Sequence, residues 1–217
     1  MKPKITRHPD ATTLVSFAAG TLAEPLAAVI AAHTAMCPQC RDELGDLDLL
    51  GAALMHGQPG AARDKPGNRP ALPFAMNVSE VAKRTVNPEE RLPTPIAAAY
   101  DLTFENIPWK RLGPGVWHHR LSLSPGTAGD LRLLKIAAGR LMPDHGHGGS
   151  ELTLVLDGAF SDVTGEYRHG DLQDVDESVE HKPLTDAVTG CICLIASERP
   201  ARFKGLFGRL FQPLTGM

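Results

Sequence analysis

Apolar positions recur with a helical period over roughly the first fifty residues and with a period of two after about residue 105, so the chain changes structural class along its length. Leu14, Val15, Phe17 and Ala18 predict a first helix, with Asp10 as its cap and Gly20 ending it. Thr21-Leu-Ala-Glu24 has capping-box spacing, and Pro25 stands near the start of a second helix carrying Leu26, Val29, Ile30 and His33 on one face. Beyond Pro38, Leu44, Leu47, Leu50, Gly51 and Leu54 trace a third stripe. Three small, Ala-rich faces bury too little surface to cohere unaided, so a metal must staple them or a partner must cover them.

Residues 57–75 contain four prolines and three glycines, the composition of a linker. Asn77–Val86 is a short amphipathic piece with Val78, Val81 and Thr85 on one side. It is too short to stand alone and must pack on its own domain or on a partner. Asn87–Pro95 is a second linker, which divides the chain into a helical domain, 1–86, and a strand-rich domain, 96–217. Val116–Leu123, Asp130–Ile136 and Thr189–Ile195 read as short strands joined by Gly and Pro turns, and Leu152–Leu156 suits a buried one. The expectation is an α + β two-domain protein whose second part is an antiparallel β-barrel.

A length of 217 residues allows one large or two small domains with a real core, and a hydrophobic content of 42% indicates a globular chain. The net charge of −3 offers no electrostatic case for binding nucleic acid or an anionic membrane. Met1-Lys-Pro-Lys-Ile5 lacks the apolar core of a signal peptide, so a cytoplasmic location is expected. The cysteines form two close pairs, Cys37/Cys40 and Cys191/Cys193, which in a reducing compartment favours metal or redox chemistry over structural disulfides.

Gly139-Arg-Leu-Met-Pro-Asp-His145-Gly-His147-Gly-Gly-Ser-Glu151 carries the densest chemistry. On an extended segment His145 and His147 project from one face, and the Gly148-Gly149-Ser150 turn delivers Glu151 at the head of the next strand. Two imidazoles and a carboxylate suit a divalent transition metal. The full spacing G-x5-H-x-H-x3-E-x6-G resembles the first cupin motif. That resemblance implies a last histidine from a second motif, and Gly170-Asp171 followed by His181 has the required shape. Taken alone, His181 between Glu180 and Lys182 would be an ordinary loop histidine.

In the helical part, His33, Cys37 and Cys40 stand at H-x3-C-x2-C spacing, with His33 and Cys37 one helical turn apart. A closed zinc site wants a fourth ligand, for which His8 is the nearby candidate. A thioredoxin-type redox pair is the rival for Cys37/Cys40, but the βαβ context is missing. An H…HxxxCxxC helical unit followed by a cupin resembles the ChrR-type zinc-binding anti-sigma factors over essentially the whole chain. The resemblance implies that the helices clasp an extracytoplasmic-function sigma factor and keep it from RNA polymerase. It further implies that the cupin governs release under oxidative stress such as singlet oxygen. By position, His8, His33, Cys37 and Cys40 would bind one zinc, and His145, His147, Glu151 and His181 a second.

Other candidates are weaker. His118 and His119 are adjacent on a strand, so at most one faces inward, and both read as structural; His169 reads as an exposed turn residue. Cys191 and Cys193 share a strand face with poor disulfide geometry and read as small buried hydrophobes, the alternative being an oxidisable pair. The rival function is a cupin metalloenzyme, such as a dioxygenase, with an accessory helical domain; a transcription factor contacting DNA directly lacks a basic recognition helix.

Overall fold

The computed structural model describes residues 4–56, 92–143, 145–146, 148–199 and 202–203. The linker at 57–75, the amphipathic piece Asn77–Val86, His147 and the C-terminal Phe207–Phe211 segment lie outside them. Among the described residues three helices come first, α1 (Ala11–Ala18), α2 (Glu24–Met36) and α3 (Pro38–His56), and a further one, α4 (Thr94–Tyr100), precedes the strands. The strands are β1 (Lys110–Gly113), β2 (Val116–Arg120), β3 (Asp130–Ile136), β4 (His145–Gly146), β5 (Glu151–Asp162), β6 (Gly165–Arg168), β7 (Leu172–Val175), β8 (Leu184–Thr185), β9 (Cys191–Ser197) and β10 (Arg202–Phe203).

Every pairing among the described residues is antiparallel. The main sheet runs β1-β2-β3-β9-β5-β6, and β7 and β8 also pair with β5. At twelve residues β5 is long enough to serve both ends: Glu151–Leu154 pairs with β7, and Ala159–Asp162 with β6. A register shift between Val155 and Asp157 bends it against β9. Gly158, the last residue of the histidine-rich motif, follows that bend with φ +73°, and a Cβ there would collide with the Gly190 carbonyl oxygen.

Alternation along the strands separates two apolar clusters. Leu131 and Leu133 of β3, Leu152, Leu154 and Leu156 of β5, and Leu194 and Ala196 of β9 join Leu26, Val29 and Ile30 of α2 and Ile96 of α4 in one core. The other sheet face brings together Leu134, Ile136, Val155, Phe160, Cys191 and Cys193. The cover that α2 lacks among its neighbouring helices therefore comes from the sheet of the same chain. With no charge after Glu24, α2 is apolar nearly all round and is buried from Pro25 to Ile30.

Local signals at the helix starts act differently from expectation. Asp10 occupies the N-cap of α1 without a side-chain cap bond; its N–H donates to Asp174 Oδ2 at 3.0 Å. The residue capping α2 is Ala23, so no capping box forms from Thr21, whose hydroxyl donates to the Ser16 carbonyl. Glu24 instead accepts from the Ser124 N–H at 2.9 Å and the Thr127 hydroxyl at 3.0 Å, tying the head of α2 to a barrel loop. Tertiary partners have outcompeted the local caps.

Candidate metal centres

His8, His33, Cys37 and Cys40 converge. Cys37 ends α2, Cys40 lies in the first turn of α3, and the tight corner between those helices sets the two sulfurs side by side. His33 is one turn before Cys37, so its ring reaches back to the corner, with Nε2 3.3 Å from Cys40 Sγ. His8, in the arm ahead of α1, places Nδ1 3.2 Å from Cys40 Sγ and 3.5 Å from Cys37 Sγ. One donor atom from each residue lies within 4.8 Å of the other three. His33, Cys37 and Cys40 are at most 1% exposed, and His8 is half-buried.

The donor chemistry fits zinc. Burial, aided by His8, lowers the His33 pKa to about 4, so the ring is neutral and able to ligate. Its Nδ1–H donates to the Gly170 carbonyl at 3.1 Å, which assigns the tautomer and leaves Nε2 facing the sulfurs. Burial and the neighbouring Cys37 push the Cys40 thiol up to about 12. Two sulfurs and two imidazoles packed this closely are a donor set that a divalent cation would turn into a tetrahedral site. Among the described residues this is the one such cluster.

The barrel residues are placed as follows. Glu151 opens β5, buried, opposite Ser197 of β9 and Val175 of β7. It shares its sheet face with Thr153 and Val155, away from the helices. His181 is 3% exposed, not the solvated loop residue its neighbours suggest, and its Nδ1 lies 2.6 Å from Asp162 Oδ2. Burial raises the pKa of Asp162, but bonds from His181, Thr164 and Gln173 outweigh it and hold the carboxyl well below the usual range. A carboxylate behind one ring nitrogen is the usual second partner of a metal-binding histidine, with Nε2 taking the metal. His145 lies on β4, which pairs with β10, and His147 falls outside the described residues.

Asp162 was not legible as a functional residue; nothing in its local sequence marks it. Asp171 was visible only as part of the Gly-Asp pair that announces His181. His118 lies on β2, its pKa lowered by burial and by Arg132 nearby. His169 is not exposed as expected: it is half-buried, and its Nδ1 donates to the Leu156 carbonyl at 2.7 Å. Cys191 and Cys193 are buried free thiols of the second apolar cluster. Among the described residues no helix is long and apolar enough to cross a membrane.

Fold and site together define a class: a helical unit with a His2Cys2 cluster, packed on an antiparallel barrel of cupin type. Residues 99–200 match the ChrR cupin-like domain family. The whole chain is similar to the anti-sigma-E factor ChrR of Cereibacter sphaeroides, with 35% identity over 215 residues, 96% of this chain and 97% of that one. The fold is similar to a chain of the crystal structure of Rhodobacter sphaeroides SigE in complex with the anti-sigma ChrR. That match has a TM-score of 0.72 and 34% identity, and it covers 89% of this chain and 99% of the other. The protein belongs to the ChrR family of anti-sigma factors.

Proposed function

We propose that this protein is a cytoplasmic anti-sigma factor that binds an extracytoplasmic-function sigma factor through its helical part and releases it under oxidative stress such as singlet oxygen. The observation that carries this reading is the whole-chain likeness to ChrR, helical unit and barrel in the same order. The accessory-domain enzyme reading has no comparable support, because inhibition needs a competing surface and no turnover. Such a surface is at hand on α3. Leu44 and Leu47 are half-buried, but Leu49, Leu50, Leu54 and Met55 are between 57% and 71% exposed, large apolar side chains left uncovered along the second half of that helix.

In this reading residues 1–86 clasp the sigma factor and residues 96–217 set whether the clasp persists. Each part holds a zinc ion, the first at His8, His33, Cys37 and Cys40, the second at His145, His147, Glu151 and His181. The short strand β7 supports a connection between them. Its leading turn holds His33 through Gly170, and Gln173 within it donates to Asp162 Oδ2 at 2.8 Å, the oxygen that also meets His181. The test is sigma-dependent transcription in cells carrying the wild type, His147→Ala or Glu151→Ala, before and after singlet oxygen. Inhibition should survive in all three, and induction should fail or weaken in the variants. An identical response in all three removes the barrel metal from the switch, with circular dichroism checking that the strands are intact.

A further inference from the structure

Both histidines of the helical cluster are held from one turn of the barrel. Gly170 accepts from His33 through its carbonyl at 3.1 Å. The next residue, Asp171, is 3% exposed, and its Oδ2 is anchored by the Arg168 N–H at 2.9 Å. Its Oδ1 turns to the arm that carries His8. There it accepts from the Thr6 N–H at 2.7 Å, the Arg7 N–H at 3.0 Å and the Thr6 hydroxyl at 3.3 Å. The Leu172 N–H closes the attachment by donating to the Arg7 carbonyl at 3.1 Å. Ile5 lies flat on the turn: Gly170 has φ +87°, and a Cβ added there would stand 2.7 Å from the Ile5 side chain.

His8 precedes α1, so no helical hydrogen bond sets its position; the main chain of the two residues before it is set by Asp171. Hydrogen bonds from backbone N–H groups to a buried carboxylate are among the stronger contacts of a folded chain, and losing the acceptor releases both donors from the barrel. A ligand whose backbone is loosened must be ordered again each time the metal rebinds. We propose that Asp171 is a positioning residue for the helical metal site, setting His8 through Thr6 and Arg7 and thereby governing how firmly that site keeps its metal. The proposal rests on reading His8, His33, Cys37 and Cys40 as a zinc site. In that reading the barrel contributes to the hold on a metal it does not itself ligate.

The experiment uses the full-length zinc-loaded protein and follows zinc release to an excess of a colorimetric chelator, together with alkylation of Cys37 and Cys40 by mass spectrometry. The zinc phase belonging to the helical site is the one lost in Cys40→Ser. Losing a direct partner behind a metal ligand weakens metal binding by about 10–100-fold. Asp171 acts on His8 through the two residues before it, so D171A should speed that phase by about tenfold, the low end of that range, and expose both cysteines to alkylation in step. D171N, which keeps an acceptor oxygen toward the arm, should fall between D171A and the wild type. Thr6→Pro removes the N–H and the hydroxyl from the arm and leaves every barrel residue in place, so it should speed the same phase even if D171A fails to fold. Wild-type release from Thr6→Pro overturns the proposal, whatever D171A does. A protein with no zinc phase sensitive to Cys40→Ser defeats the site assignment, and the proposal with it, by a different signal.

Discussion

Nδ1 of His181 lies 2.6 Å from Oδ2 of Asp162, both side chains almost wholly buried in the barrel. That oxygen also accepts from Gln173 Nε2 at 2.8 Å, while Asp162 Oδ1 accepts from the Thr164 N–H at 2.8 Å and from its hydroxyl at 2.6 Å. The carboxylate is locked from several sides and in turn locks the imidazole, which is how a metal-binding histidine is usually held.

Asp162→Asn keeps the shape but exchanges an acceptor oxygen for an amide. At the proposed barrel site, metal affinity should then fall by about 10–100-fold, the usual cost of losing such a partner. Metal content after dialysis against a graded chelator checks this. Unchanged retention would mean that His181 is not a ligand.

Zinc uptake at the helical site should be steeply pH-dependent. Cys40, pushed up to about 12, must give up a proton whenever zinc binds, whereas His33, lowered to about 4, is already neutral above that value. Between about pH 6 and pH 8 the apparent affinity of the apo site should therefore rise by at least about tenfold per pH unit. Below about pH 4 protonation of His33 competes as well. Competition titrations across that range measure the slope, with Cys37→Ser/Cys40→Ser as the control that should lose one zinc. A flat profile contradicts thiolate ligation.

The exposed end of α3 gives a separable prediction. Leu50 is 57% and Leu54 66% exposed, so Leu50→Glu and Leu54→Glu bury no charge in the free protein and should leave its melting temperature within a few degrees. In a sigma complex each would place a carboxylate in an apolar contact, and affinity should fall by about tenfold or more per substitution. Titration calorimetry with the purified sigma factor decides it. Wild-type affinity in both variants moves the docking surface elsewhere.

What could be read from the chain alone follows from how local each determinant is. The cluster at His33, Cys37 and Cys40 was legible because one helical turn and one helix corner fix all three residues. His8 was named for its donor type, and the bonds that bring it in come from Asp171, far along the chain. The strand at Asp130–Ile136 was legible to the residue, since its apolar run is bounded by Gly129 before it and Gly139 shortly after. The capping box at Thr21 was not formed, because Glu24 found better partners in Ser124 and Thr127. The packing of α2 on the sheet was present as a run without charges after Glu24, but only the fold says which surface covers it. Asp162 had no local signal, since its role depends on a histidine nineteen residues away.

The most direct test of the central claim is binding between the full-length zinc-loaded protein and an extracytoplasmic-function sigma factor of the same host. Both are purified and mixed, and the complex is sized by light scattering while transcription from a sigma-dependent promoter is followed in vitro. A stoichiometric complex that silences transcription, and that Cys37→Ser/Cys40→Ser fails to form, is the predicted result. No complex with any such sigma factor of the host, and transcription unaffected at saturating protein, would contradict it.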